Sequence, residues 1–300
     1  MDILDIKILN RLLDNCREPD RQIGKSLGIS GGAVRARIQK MEDTGIVEKF
    51  IIKIEPPTLG YGVLYFVVTG QNVSEILEQI SFVGEPFFVV PCVGGITVCS
   101  IVIRDSLERK IDLAKQLMKD VRVLSIFEVD KSGYPSNLTK TDLQIIEKLL
   151  NNPRERIETI AKNTNLSTKT VARCLEKLQE NDGIQFTLIY EPTKIQGFIP
   201  FVILAWISGD VESVLSKINE KFSEHYMQKP FVTKNQIVLF MYSDNIFKMD
   251  EITQKIQNSK IVKSADLFIP KKITYIQKWL EKDFTVAKKS PTLHLSYQTN

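Results

Sequence analysis

The chain repeats itself at an offset of 137 residues. Asp5 falls on Asp142, Ile8 on Ile145, Leu12-Leu13 on Leu149-Leu150 and Ile23 on Ile160. Ser30 then falls on Ser167, Val34 on Val171 and Lys40 on Lys177. After a small slip, Glu55-Pro56 meets Glu191-Pro192 and Gly60 meets Gly197. A period this long is not that of a solenoid. It describes a duplication, and each copy has two parts with different rhythms, in the order A1-B1-A2-B2.

The A parts have helical periodicity. In "ILDIKILNRLLDN", Ile3, Ile6, Leu9, Leu12 and Leu13 share one helical face. Pro19 and Asp20 suit the start of a second helix that ends near Gly28. Ser30 is a natural N-cap for a third helix over 31–44, where Val34, Ile38 and Met41 point inward and Gly45 stops the run. "IVEKFIIKIEP" alternates as a short hairpin would. Helix, tight turn, helix and hairpin together make a winged helix-turn-helix.

The B parts alternate strands and helices. B1 runs from "GVLYFVVTG" through "SEILEQISFV", "PFFVVPCV", "ITVCSIVIRD" and "LERKIDLAKQLMKD" to "VRVLSIFEVD", with Gly94-Gly95 as a hairpin signal. B2 repeats the order. The fold class is therefore α+β: tandem winged helix-turn-helix heads, each followed by a β-α-β-β-α-β ferredoxin-like domain. The expected divisions are heads at 1–57 and 137–193, ferredoxin-like domains at 58–132 and 194–272, and a basic tail at 273–300.

Charge does not by itself point to nucleic acid. The net charge is +4, and residues 271–300 alone hold Lys271, Lys272, Lys278, Lys282, Lys288 and Lys289 against Glu281 and Asp283. The rest of the chain sums to zero, so any DNA contact must come from local arrangement. The tail is expected to be solvated, with its lysines adding nonspecific attraction to phosphates. Cys16, Cys92, Cys99 and Cys174 are scattered, no CxxC occurs, and the only histidines are His225 and His294. No metal site and no cofactor are expected, and the thiols are expected to be reduced and buried. No apolar run is long enough to span a membrane and the N-terminus lacks a basic region before an apolar core, so a cytoplasmic protein is expected.

The stretches "LDIKILNRLLDN", "REPDRQIGKSLGISGGAVRARIQKMEDTGIV" and "IEPPTLGY" resemble the Lrp/AsnC family of transcription regulators. "TDLQIIEKLLNN", "IAKNTNLSTKTVARCLEKLQENDGI" and "YEPTKIQGF" resemble it more loosely. The resemblance implies double-stranded DNA as partner and regulatory domains that dimerise and bind a small-molecule effector. It also implies both halves of the usual dimer in one chain: an intrachain pseudo-dimer, with further homo-oligomerisation through outer B surfaces left open. Two departures stand out. The family's Gly-x-x-Asp-Tyr-like stretch corresponds to "GGITV" (94–98) and "TKNQIVL" (233–239), neither with the Asp, so an amino-acid effector is not carried over. Cys174 stands where the first head has Arg37.

On a helical wheel, Gly32, Ala36 and Gln39 lie opposite Val34, flanked by Arg35, Arg37 and Lys40. In the second head Lys169, Arg173 and Glu176 lie opposite Val171, flanked by Lys177. The expected DNA-binding residues are therefore Ser30, Gly32, Arg35, Arg37, Gln39 and Lys40, and Ser167, Thr168, Lys169, Thr170, Arg173 and Lys177. Small residues admit the backbone to the groove and basic flanks meet phosphates. Without the turn, the cap and the wing, the same face would read as an ordinary solvated one. No nucleophile-base set stands out, so no catalytic residue is expected. The alternative is a tetrapyrrole decarboxylase of the siroheme type on the same scaffold, with His225-Tyr226 as its only pointer.

Overall fold

The computed structural model describes all residues except 70–71, 118–121, 129–137, 208, 234, 260 and 281–300. The expected boundary at 132–137 and the tail lysines Lys282, Lys288 and Lys289 lie outside the described residues. The elements run α1 (Ile3–Asp14), α2 (Asp20–Leu27), α3 (Gly31–Asp43), β1 (Val47–Ile54), β2 (Gly62–Thr69), α4 (Val73–Ser81), β3 (Glu85–Pro91), β4 (Ile96–Ile103), α5 (Leu107–Leu117) and β5 (Arg122–Glu128). The second copy runs α6 (Lys140–Leu149), α7 (Ile157–Thr164), α8 (Thr168–Gln179), β6 (Ile184–Tyr190), β7 (Ile199–Ile207), α9 (Val211–Phe222), β8 (Phe231–Val232), β9 (Gln236–Ser243), α10 (Ile246–Asn258), β10 (Val262–Phe268) and β11 (Thr274–Tyr275). The α+β class, with helix-turn-helix heads each followed by a wing strand and a ferredoxin-like sheet, is what these elements build.

Compactness does not follow chain order. One unit gathers Met1–Lys49, Val90–Gly94 and Leu188–Ile273; the other gathers Phe50–Val89, Gly95–Thr187 and the described part of Thr274–Asn300. Each unit thus joins the head of one copy to the ferredoxin-like sheet of the other.

In the first unit, α1–α3 close over Ile6, Leu9, Leu12, Ile23, Val34 and Ile38, all buried. Burial of each such side chain contributes about 1.5–3 kcal/mol. Beside them lies an antiparallel sheet in the order β10-β7-β9-β8. Its Phe201, Ile203, Leu239 and Met241 pack with Ile218 of α9 and Ile252 and Ile256 of α10. The head is tied to this part by polar contacts. Asn10 Nδ2 donates to Tyr226 O at 2.9 Å, the Met1 amino group to Gln196 O at 3.1 Å, and Lys229 pairs with Asp14 at 3.3 Å.

In the second unit, α6–α8 bury Ile145, Ile146, Leu149, Ile160, Val171 and Leu175. The sheet order is β11-β3-β4-β2-β5, with Leu64, Phe66, Cys99 and Ile101 packed on Ile76 and Ile80 of α4 and Ala114 of α5. Both sheets have the strand order of a ferredoxin-like fold; this one has β11 added at the edge beside β3.

Two expectations need correction. Neither head has a hairpin of its own. The segments "VEKFIIKI" and "IQFTLIY" hold no Gly, Pro, Asn or Asp to reverse the chain, so each runs on as a single strand. The two strands pair with each other instead. Inside the first unit Glu191 N donates to Ile46 O at 2.9 Å, and inside the second Glu55 N donates to Gly183 O at 2.8 Å. The tail, too, is not solvated at its start. Thr274 and Tyr275 pair with Val89 and Phe88, and Trp279 and Leu280 are buried. The apolar spacing of "ITYIQKWL" outweighs its lysines.

Candidate nucleic-acid interface

In each head the third helix is placed by a tight left-handed turn. Gly28 ends α2 at φ 72°, and Ile29 N donates back to Gly24 O at 3.0 Å. A Cβ on Gly24 would lie 2.6 Å from Ile29 O, so α2 and the turn approach as closely as backbone allows. The second head does the same with Asn165 at φ 56° and Leu166 N donating to Ala161 O at 3.1 Å.

Serine caps start both helices. Ser30 Oγ accepts from Ala33 N at 3.1 Å, and Ser167 Oγ accepts from Thr170 N at 3.0 Å. The Thr170 and Ser167 hydroxyls are also 2.8 Å apart. Because both caps bond the third residue onward, the two helices share one register. Val34, Ile38 and Met41, like Val171, Leu175 and Leu178, face inward. Gly32, Arg35, Ala36, Gln39 and Lys40 are exposed on α3, and Thr168, Lys169, Arg173 and Glu176 on α8. Ten of the twelve expected site residues thus fall on or beside one outward face per head.

Arg37 and Lys177 are engaged differently. Arg37 Nη1 donates to Asp2 Oδ2 at 2.8 Å and to Asp5 Oδ1 at 2.6 Å, and its side chain is only 30% exposed. Hydrogen bonds from the Asp5 amide and then from Arg37 hold the Asp2 carboxyl below its ordinary pKa. Bonds to Asp2 and Asp5 raise that of the Arg37 guanidinium. Lys177 Nζ lies 2.5 Å from Asp142 Oδ2. Burial pushes the Asp142 carboxyl up, but the bonds from Lys177 and Thr139 outweigh it and the net shift is downward. Both aspartates also close capping boxes, with Asp2 in α1 and with Thr139 in α6. Arg35, by contrast, meets Asp20 at 3.1 Å with 82% of its side chain in solvent. Such a pair is weak and can exchange for a phosphate.

The wheel showed basic flanks but not which of them had an acidic partner. The signal was there: Asp5 and Asp142 coincide at the repeat offset, on otherwise apolar helix faces.

The His225-Tyr226 pair lies elsewhere, beside a groove of about 550 Å³ between α9 and α10. Lys221, Glu224, Lys248, Glu251 and Lys255 line it with His225. The Tyr226 hydroxyl donates to Asn219 Oδ1 at 2.8 Å, and burial pushes its pKa up to about 12. No arginine occurs in the sequence after Arg173. All four cysteines are free thiols; burial raises Cys92 to about 11 and Cys99 to about 12. Among the described residues no group of three His, Cys, Asp or Glu side chains could hold a metal ion, and no helix is long and apolar enough to cross a membrane.

Residues 1–42 match the AsnC-type helix-turn-helix domain, and residues 138–184 match a winged helix-turn-helix DNA-binding family. The chain is 32% identical over 109 residues to the HTH-type transcriptional regulator Ptr1 of Methanocaldococcus jannaschii, covering 35% of this chain and 74% of that one. It is 39% identical over 93 residues to the HTH-type transcriptional regulator LrpA of Pyrococcus abyssi, covering 28% of this chain and 64% of that one. Among solved structures, the siroheme decarboxylase NirDL aligns over 95% of this chain and 98% of its own, at 15% identity and a TM-score of 0.49.

Proposed function

The chain belongs to the Lrp/AsnC family of transcription regulators, and on that premise we propose that it is a sequence-specific DNA-binding regulator carrying two readers in one polypeptide. The observation that supports this most is the pair of Ser-capped helices in one register, each with its apolar side closing a head and its polar side in solvent. Two readers on one chain meet two half-sites of a duplex without recruiting a second subunit. Its partner in this reading is double-stranded DNA, its place is the cytoplasm beside the chromosome, and it catalyses no reaction. A small-molecule effector would act through the ferredoxin-like parts.

In this reading each exposed residue takes a role that its position supports. Arg35, Lys40 and Lys169 meet phosphates, helped by the helix N-terminal amides behind Ser30 and Ser167. Gly32 lets the α3 backbone approach the groove. Thr168 and Thr170 offer hydroxyls at the first turn of α8. Gln39 and Arg173 face base edges. Arg37 and Lys177 hold the reading helices in place rather than touching DNA.

The test is duplex affinity as a function of salt. Arg35→Ala with Lys40→Ala should weaken binding to all sequences and reduce the salt slope by roughly two, since each lost phosphate contact removes about 0.9. Unchanged affinity and slope would show that α3 is not the interface.

A further inference from the structure

The two reading helices share a register but not a chemistry. At the three exposed positions opposite the core, α3 presents Gly32, Ala36 and Gln39, while α8 presents Lys169, Arg173 and Glu176. The first set holds no ionisable group. The second holds three. Gln39 Nε2 already donates to Asp43 Oδ1 at 2.9 Å, which fixes its amide along the outer face. Arg173 and Glu176 are one turn apart on the same side of α8 and both stand in solvent.

Base edges in the major groove discriminate among these groups. A glutamine amide pairs with adenine N6 and N7, and an alanine methyl packs on the thymine methyl. An arginine fork pairs with guanine O6 and N7. A glutamate carboxylate can only accept, and cytosine N4 is the donor that suits it. Away from such a donor, Glu176 would face phosphates and repel them, so its cost is removed only at a particular base pair. Gln39 at the matching position imposes no such penalty.

We propose that this protein reads an operator with two unlike halves: an A·T half-site under α3 and a G·C-containing half-site under α8, with Glu176 as the residue that sets the second preference. The proposal rests on the DNA-binding reading above. It adds that the duplicated chain has given up the symmetric site that two identical heads would demand.

Selection from randomised duplexes with the full chain tests it. The expected product is a motif whose halves differ, one A·T-rich and one containing a C·G pair. Glu176→Gln should move the preferred base at one position of one half from cytosine to adenine, changing the ratio of affinities there about tenfold. The reciprocal variant Gln39→Glu should act only on the other half. Both side chains are exposed, and unchanged melting of the variants checks that the fold is intact. A palindromic motif overturns the inference. So does a motif unmoved by Glu176→Gln, or duplex binding with no enriched sequence. The absence of any salt-dependent duplex binding takes down the DNA-binding reading itself, which separates the two failures.

Discussion

Arg37 Nη1 lies 2.6 Å from Asp5 Oδ1, and this contact ties the reading helix α3 to the start of α1. In the second head the residue aligned with Arg37 is Cys174, whose thiol also hydrogen-bonds Asp142, the residue aligned with Asp5, while the cation on that carboxylate is Lys177 from the next turn of α8. The buried carboxylate has been kept in both heads and its cation has moved by three residues. The task conserved between the copies is therefore the fastening of the reading helix, not the identity of the residue that does it.

That fastening predicts an acid sensitivity. The Asp142 carboxyl has a folded pKa below its ordinary 3.8, so its contribution to stability is present above about pH 4 and is lost as pH falls through the depressed value. Lys177→Met should cost about 2 kcal/mol at neutral pH, the scale of a hydrogen bond to a charged group, because it leaves Asp142 buried without its cation. It should also flatten the loss of stability below pH 4. Hydrogen exchange of α8 amides measures both effects, with α3 amides as the internal control. Equal protection of α8 in the variant and the parent would show that the pair does not fasten the helix.

The turn before each reading helix predicts an asymmetric tolerance. Asn165 already occupies the left-handed position in the second head, so Gly28→Asn should leave thermal stability nearly unchanged. Gly28→Val should cost about 1–2 kcal/mol for placing a branched side chain there. Gly24→Ala should cost more than that, since its Cβ would sit 2.6 Å from a backbone oxygen that cannot swing away. Denaturant unfolding of the three variants ranks them, and a harmless Gly24→Ala would contradict the close approach.

The start of the tail predicts a dependence of the second unit on Trp279. Its indole is 1% exposed and packs edge-on to Phe87 and Tyr61, while Arg104 donates to its carbonyl oxygen at 2.8 Å. Trp279→Ala should destabilise by about 3–5 kcal/mol through the cavity it leaves. Trp279→Phe should cost clearly less. It keeps an aromatic edge contact and removes an indole Nε1 that is buried with no hydrogen-bond partner among the described residues. Ending the chain at Ile273 should be worse than either. It removes β11 from beside β3 and takes away the Tyr275 hydroxyl, which accepts from Ile54 N at 3.1 Å and donates to Ile54 O at 3.3 Å. Circular dichroism melting of the three chains gives the order, and equal melting would refute the role of this segment.

Much of the architecture was legible in the residues, because local chemistry decides it. The Ser30 and Ser167 caps, the inward triplet Val34-Ile38-Met41 and the β-α-β-β-α-β rhythm follow from helical and strand periods that short stretches contain in full. So does the outward face that carries Arg35 and Arg173. What the tertiary structure alone decided involves partners far apart in the chain. No periodicity reveals that β1 pairs with β6, that β11 extends the sheet of the first copy, or that each compact unit takes its head from one copy and its sheet from the other. Nor does a helical wheel show that Arg37 turns back to Asp5 while Arg35 stays in solvent. A cation looks the same in sequence whether it is committed or available. Only the position of a carboxylate brought near by folding tells them apart.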